Sequence, residues 1–88
     1  MTNKTEMTRQ DFALAAAERK EAARDAARKF ISGRAPADKM EEFTADLIMG
    51  LDQIMSEMPY TTLMQHDDAT LIGQAGLRAA NIRKARSS

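Results

Sequence analysis

The chain has 88 residues, no cysteine, and equal numbers of acidic and basic side chains, thirteen of each. Its length limits it to one domain with a thin core, and the lack of cysteine excludes disulfides and thiolate metal sites. No apolar run reaches the roughly 18 to 20 residues that span a bilayer, so we expect a single helical domain over residues 1–88, in the cytoplasm and not in a membrane.

The charges are sorted along the chain. Residues 1–34 carry eight basic and five acidic side chains, residues 35–70 carry one and eight, and residues 71–88 carry four and none. The net charges of the three segments are therefore +3, −7 and +4. An acidic middle between basic flanks can be neutralised when the chain folds back on itself, or it can present a charged face to a partner.

The composition predicts an all-α fold with three helices, two of them long and the C-terminal one shorter. Ala, Glu, Lys, Arg, Met and Leu dominate, and β-branched residues never form an alternating run. Helix one is expected over residues 8–32, after a flexible segment 1–7. Thr8 and Asp11 can form a capping box at its start, and Gly33 follows its end.

Helix two is expected over residues 36–58, between Pro36 in its first turn and Pro59 beyond its end. Large apolar residues recur along it at spacings of three and four, which predicts a core-facing stripe made of Met40, Phe43, Leu47, Leu51, Ile54 and Met58. The opposite face is acidic and also carries one exposed methionine. Its predicted partner-binding residues are Glu41, Glu42, Asp46, Met49, Asp52 and Glu57.

Helix three is expected over residues 68–86, with Asp67 or Asp68 as its cap and a connector before it. Gly73 and Gly76 lie inside it, and each weakens a helix by about 1 kcal/mol relative to alanine. Together with nearby alanines, these glycines predict a small-residue surface that another helix can approach closely. This surface comprises Ala69, Gly73, Gly76 and Ala80.

The first two helices differ in side-chain volume. The interior of helix one consists largely of alanines and charged residues, so it covers little of the large stripe on helix two. We therefore expect a homodimeric helical bundle in which the stripe packs against a second copy. The alternative is a monomer whose core is completed by Leu63, Met64, Leu71 and Ile72.

Few residues suit catalysis or metal binding. The single histidine, His66, precedes Asp67 and Asp68, and helix capping accounts for an aspartate at that place. Gly73 and Gly76 lie in a helical pattern and not in a phosphate-binding loop after a strand. We expect no catalytic residue, no metal site and no cofactor.

Two alternatives involve nucleic acid. In the first, the basic C-terminal helix binds phosphates through Arg78, Arg83, Lys84 and Arg86. No aromatic side chain lies among these residues to stack on bases, and they can instead complement the acidic helix two. In the second alternative, the acidic face of helix two imitates a row of phosphates and blocks a nucleic-acid-handling protein.

The preferred interpretation is a small noncatalytic regulator or inhibitor that binds another protein through the acidic, methionine-bearing face of helix two. A basic nucleic-acid-binding protein would complement that face electrostatically. Methionine suits such a surface because its flexible thioether adapts to differently shaped partners.

Overall fold

The computed structural model describes residues 8–87, and the predicted flexible segment 1–7 lies outside the described residues. Within that range the chain is all-α, as predicted, and contains no strand. Its α-helices are α1 (Arg9–Ser32), α2 (Met40–Glu57), α3 (Tyr60–Gln65) and α4 (Asp68–Ser87), with one 3-10 turn at Ala37–Lys39.

The capping box predicted at the start of α1 is present. The Thr8 backbone N–H donates to Asp11 Oδ2 at 3.0 Å, and the Asp11 N–H donates to Thr8 Oγ1 at 3.2 Å. These two bonds satisfy amides that have no partner within the first turn of a helix. At the other end, the Gly33 N–H donates to Ile31 O, where the chain leaves the helix.

Helix two was predicted to start at residue 36, but its regular α-helix starts later. Pro36 has an extended backbone (φ −60°, ψ 146°) and precedes the 3-10 turn, so regular α-helix begins at Met40. The helix ends at Glu57 because Met58 is extended (φ −95°, ψ 136°), as expected for a residue that precedes a proline.

The segment predicted as a connector is itself helical, so three predicted helices become four α-helices within residues 8–87. Pro59 precedes α3, and its carbonyl accepts a hydrogen bond from the Leu63 N–H at 3.0 Å. Leu63 is buried, and the Tyr60 ring packs edge-on against Phe12 of α1, with 4.9 Å between ring centroids. The short helix is therefore held by tertiary packing, which local sequence patterns do not reveal.

Asp67 caps α4, as predicted. Its Oδ1 accepts a hydrogen bond from the Thr70 N–H at 2.8 Å, and hydrogen bonding by the Thr70 side chain, together with this backbone bond, lowers the pKa of the Asp67 carboxyl. The helix then runs antiparallel to α2, because Arg78 pairs with Glu57 whereas Arg86, further along α4, pairs with Glu42 near the start of α2.

The core lies between α1, α2 and α4. Most of the predicted stripe of α2 is buried or half-buried there, and α4 supplies much of what covers it. The buried core cluster consists of Ala23, Ala27, Leu47, Leu51, Ile54, Met55, Leu63, Leu71, Ile72 and Ala75. The stripe is thus largely covered within one chain, so its burial does not require the second copy that the volume difference between the helices predicted. Of the residues that the monomer alternative placed in the core, Leu63, Leu71 and Ile72 are buried, whereas Met64 is 43% exposed.

The close approach of two helices occurs at Gly50. A Cβ placed there would lie 2.7 Å from Ala75 O and 3.1 Å from Ala79 N, so only glycine lets α2 and α4 come this near. No helix within residues 8–87 approaches Gly73 or Gly76, since both are exposed and a Cβ at either would meet no atom within 4 Å.

No helix within residues 8–87 is both long enough and apolar enough to cross a bilayer.

Candidate functional site

One predicted partner-binding residue, Asp46, lies in the interior. It is 2% exposed and faces α4, where Arg83 Nε lies 3.3 Å from its Oδ2 and Arg86 pairs with its other oxygen. The expectation that Asp46 belongs to an exposed acidic face was therefore wrong. An unpaired buried carboxylate would be strongly destabilising. Here the two guanidinium groups compensate the buried charge of Asp46.

The same two arginines have further contacts on α2. The Arg83 guanidinium lies over the Phe43 ring, 4.1 Å from its centroid, which is a cation–π geometry. Arg86 also lies 3.6 Å from a Glu42 carboxylate oxygen. The C-terminal half of α4 is thus fastened to the first half of α2 by charge as well as by packing.

A second ion pair joins α2 and α4 at the other end of their contact. Both terminal nitrogens of Arg78 donate to the Glu57 carboxylate at 3.0 Å, and one of them also donates to Gln53 Oε1 at 3.2 Å. The hydrogen bonds from Arg78 lower the pKa of the Glu57 carboxyl, and the carboxylate in turn raises the pKa of Arg78. Two parallel N–H···O bonds fix the guanidinium plane against the carboxylate.

These contacts engage three of the four residues that the nucleic-acid alternative required. Arg78, Arg83 and Arg86 all bind carboxylates of α2, whereas the Lys84 ammonium group has no hydrogen-bond or ion-pair partner within residues 8–87. The other expectation for the basic C-terminal helix, that it complements the acidic helix two, is confirmed.

Helix α1 neutralises another predicted partner-binding residue. Arg24 Nε donates to Asp52 Oδ1 at 2.8 Å, and Arg24 also pairs with Glu21 at 3.2 Å. The hydrogen bond from Arg24 to Asp52 raises the pKa of the arginine. Asp52 is half-buried by this contact, which holds the carboxylate at the boundary between α1 and α2.

The residues around the single histidine have structural partners. His66 Nδ1 lies 2.8 Å from Thr62 O, Asp67 caps α4, and Asp68 accepts a hydrogen bond from Arg19 at 2.7 Å. Arg19 also donates to the backbone oxygen of His66 at 2.9 Å, so it ties α1 to the start of α4. Within the part of the chain that the structure describes, no group of three His, Cys, Asp or Glu side chains could hold a metal ion.

One surface of α2 stays open. Six residues along it line a shallow depression, and we call this surface the outer face of α2: Ala45, Ile48, Met49, Asp52, Gln53 and Ser56. Met49 lies at its middle and is 48% exposed. The spacing of the six residues follows successive turns of one helix, so they form a continuous strip along α2.

Glu41 is exposed near the N-terminal end of the outer face of α2, and it has no hydrogen-bond or ion-pair partner within residues 8–87. Among the six predicted partner-binding residues, Glu41 and Met49 are therefore the two that remain exposed and unengaged. Sequence reasoning did not name Ala45, Ile48 or Ser56 as site residues. The feature of the sequence that could have identified them is their helical spacing, which places them on the same side of α2 as Met49.

Comparisons of the chain with protein-family models, with curated proteins and with solved structures found no match.

Proposed function

We propose that this chain is a small noncatalytic regulator or inhibitor that binds another protein through the outer face of α2. The observation that carries the proposal is the exposure of Met49 at the middle of a shallow and largely apolar depression. The exposed half of a methionine side chain can adapt to a partner side chain, and burial of its apolar surface stabilises the contact.

The surroundings of Met49 suit a docking helix or strand. Ala45 and Ser56 are small, so a partner backbone can approach α2 closely on both sides of the methionine. Asp52 is held by Arg24 at 2.8 Å, so its carboxylate need not be ordered when the partner binds. Fixing a polar group before binding reduces the entropy lost on association.

The proposed contact is less acidic than the sequence alone indicated. Asp46 is buried, and Glu42, Asp52 and Glu57 each lie within 4.0 Å of an arginine nitrogen of this chain. Glu41 is the acidic residue of the set that is free to meet a basic group on the partner. These pairings weigh against a decoy that imitates a phosphate row, and equally against nucleic-acid binding by α4.

The proposal retains two further expectations from the sequence. The chain is a homodimer, but it pairs through the outer face of α2 and not through the buried stripe. We place it in the cytoplasm, in keeping with a sequence that has no cysteine.

A photo-reactive amino acid at position 49 tests the proposal directly. In lysate of the organism that encodes the chain, we expect a discrete adduct with a foreign protein, which excess unlabelled wild-type chain suppresses. Leu77 on α4 is the matched control position, because it is an apolar side chain with even greater exposure, 72%. Equal adducts from positions 49 and 77, or none from either, would contradict binding through the outer face of α2.

A further inference from the structure

We infer that a second copy of this chain occupies the outer face of α2 when no other partner is bound, with the two α2 helices antiparallel about a two-fold axis near Met49. The inference rests on the proposed function, because it concerns the same surface.

Free charges of opposite sign lie on α1 and α2. Glu41 on α2 and Lys20 on α1 are a free acid and a free base, since the side chain of neither has a hydrogen-bond or ion-pair partner within residues 8–87. Lys20 is half-buried on the side of α1 that carries Arg24. A surface with one free group of each sign can complement a copy of itself.

The register follows from the contacts between α1 and α2. Arg24 pairs with Asp52, and Phe12, earlier in the chain, packs on Tyr60, later in the chain, so α1 runs antiparallel to α2. Lys20 lies one helical turn before Arg24, and it is therefore level with Ser56, one turn after Asp52.

An antiparallel two-fold pairing about Met49 then brings Glu41 and Lys20 together across the interface. Glu41 and Ser56 lie at nearly equal distances from Met49 along α2, in opposite directions, so the pairing sets Glu41 of one copy level with Ser56 of the other. Because Lys20 is level with Ser56, each Glu41 comes beside Lys20 of the second copy. The symmetry produces this ion pair twice, once at each end of the interface.

The middle of the interface is apolar and close-fitting. Met49 of one copy meets Met49 of the other, and Ala45 lies opposite Gln53 of the second copy, so a small side chain faces a longer one. Two exposed methionines are then removed from water together. Self-association covers the surface that a foreign partner would need, so dimerisation and partner binding exclude one another.

Light scattering coupled to size-exclusion chromatography of the full chain tests the inference. We expect a dimer for the wild type and a monomer for Met49→Glu, because the variant places two carboxylates at the two-fold axis. Leu77→Glu is the matched control, since it adds the same charge at another exposed apolar side chain and should leave the dimer intact. Circular dichroism should show equal helix content in all three proteins.

A charge exchange tests the register. Glu41→Lys alone and Lys20→Glu alone should each weaken the dimer by about tenfold at low salt, because each replaces two attractive pairs by two repulsive ones. The double variant should restore the dimer to near its original strength. A wild type that is monomeric up to millimolar concentration, a dimer that persists in Met49→Glu, or a double variant weaker than both single variants would overturn the inference.

The outcomes separate the inference from the proposed function. A monomer that still forms a foreign adduct from position 49 would refute the self-association, and the proposed homodimer with it, but would leave the proposed binding of another protein standing. A dimer that responds to these variants, but forms no foreign adduct, would support the self-association and contradict the binding of another protein.

Discussion

The two sides of α2 illustrate how one helix can have a closed and an open surface. On the side that faces α4, Gly50 permits a backbone approach and Asp46 is buried against two arginines. On the outer face of α2, Met49 is half exposed and Glu41 is unpaired. Acidic and apolar residues occur on both sides, so position relative to α4, and not residue type, decides which groups are available to a partner.

The largest expected effect comes from removing both arginines that compensate Asp46. Arg83→Ala with Arg86→Ala leaves a carboxylate that is 2% exposed without a counter-charge, and we expect a loss of about 3 kcal/mol or more in the free energy of unfolding. Urea denaturation followed by circular dichroism measures it.

Two further variants control that experiment. Lys84→Ala removes a neighbouring positive charge that has no partner within residues 8–87, and it should change stability by less than about 0.5 kcal/mol. Adding Asp46→Asn to the double variant should recover part of the loss, because the buried charge is then gone. A double variant as stable as Lys84→Ala would show that the pairing with Asp46 contributes little.

The next effect concerns the close approach of the helices. Gly50→Ala adds a Cβ that would lie 2.7 Å from the carbonyl oxygen of Ala75, so α2 and α4 must separate or shift. We expect a destabilisation of about 1 to 3 kcal/mol, measured as a lower urea midpoint with an unchanged slope. A variant at least as stable as the wild type would contradict the tight contact described at this residue.

Replacing glycine by alanine should have the opposite effect on stability on the exposed side of α4. Gly73→Ala and Gly76→Ala add a Cβ in open space, and each should stabilise the protein by about 1 kcal/mol because alanine favours the helix more than glycine does. Thermal unfolding should show a raised Tm for each variant. A lower Tm for either variant would mean that the glycine has a role which its exposed position does not explain.

The sequence predicted those features of the fold that depend on local chemistry. The capping box of Thr8 and Asp11, the cap at Asp67 and the apolar stripe of α2 follow from spacing and hydrogen-bonding capacity, and all three are present. The predictions failed where a residue's role depends on what lies across from it. Gly50 was not predicted as a contact, because nothing in its own helix shows that Ala75 lies opposite.

The same contrast between local sequence pattern and tertiary contact applies to the candidate site. Met49 was predicted to be exposed, and it is, because its position relative to the stripe of its own helix places it on the opposite side. Asp46 was assigned to that side as well, but α4 lies at the edge of the stripe and covers it. A helical pattern defines the middle of each face well, whereas residues at the boundary depend on the width and placement of the neighbouring helix.

The smallest expected effect concerns the ion pair between Arg78 of α4 and Glu57 of α2. The hydrogen bonds from Arg78 lower the pKa of Glu57 below its ordinary value of 4.5, so the ionised carboxylate is favoured more in the folded state than in the unfolded state. The stabilisation is therefore complete above the unfolded-state pKa and is lost as the pH falls through the lower, folded-state value.

In an NMR titration, the Glu57 carboxyl of the wild type should have its midpoint below 4.5, and in Arg78→Gln the midpoint should rise towards that value. Because the Glu57 side chain is exposed and Arg78 is only half-buried, the change in stability should be far smaller than at Asp46. Equal midpoints in the two proteins would show that the pair does not persist in water.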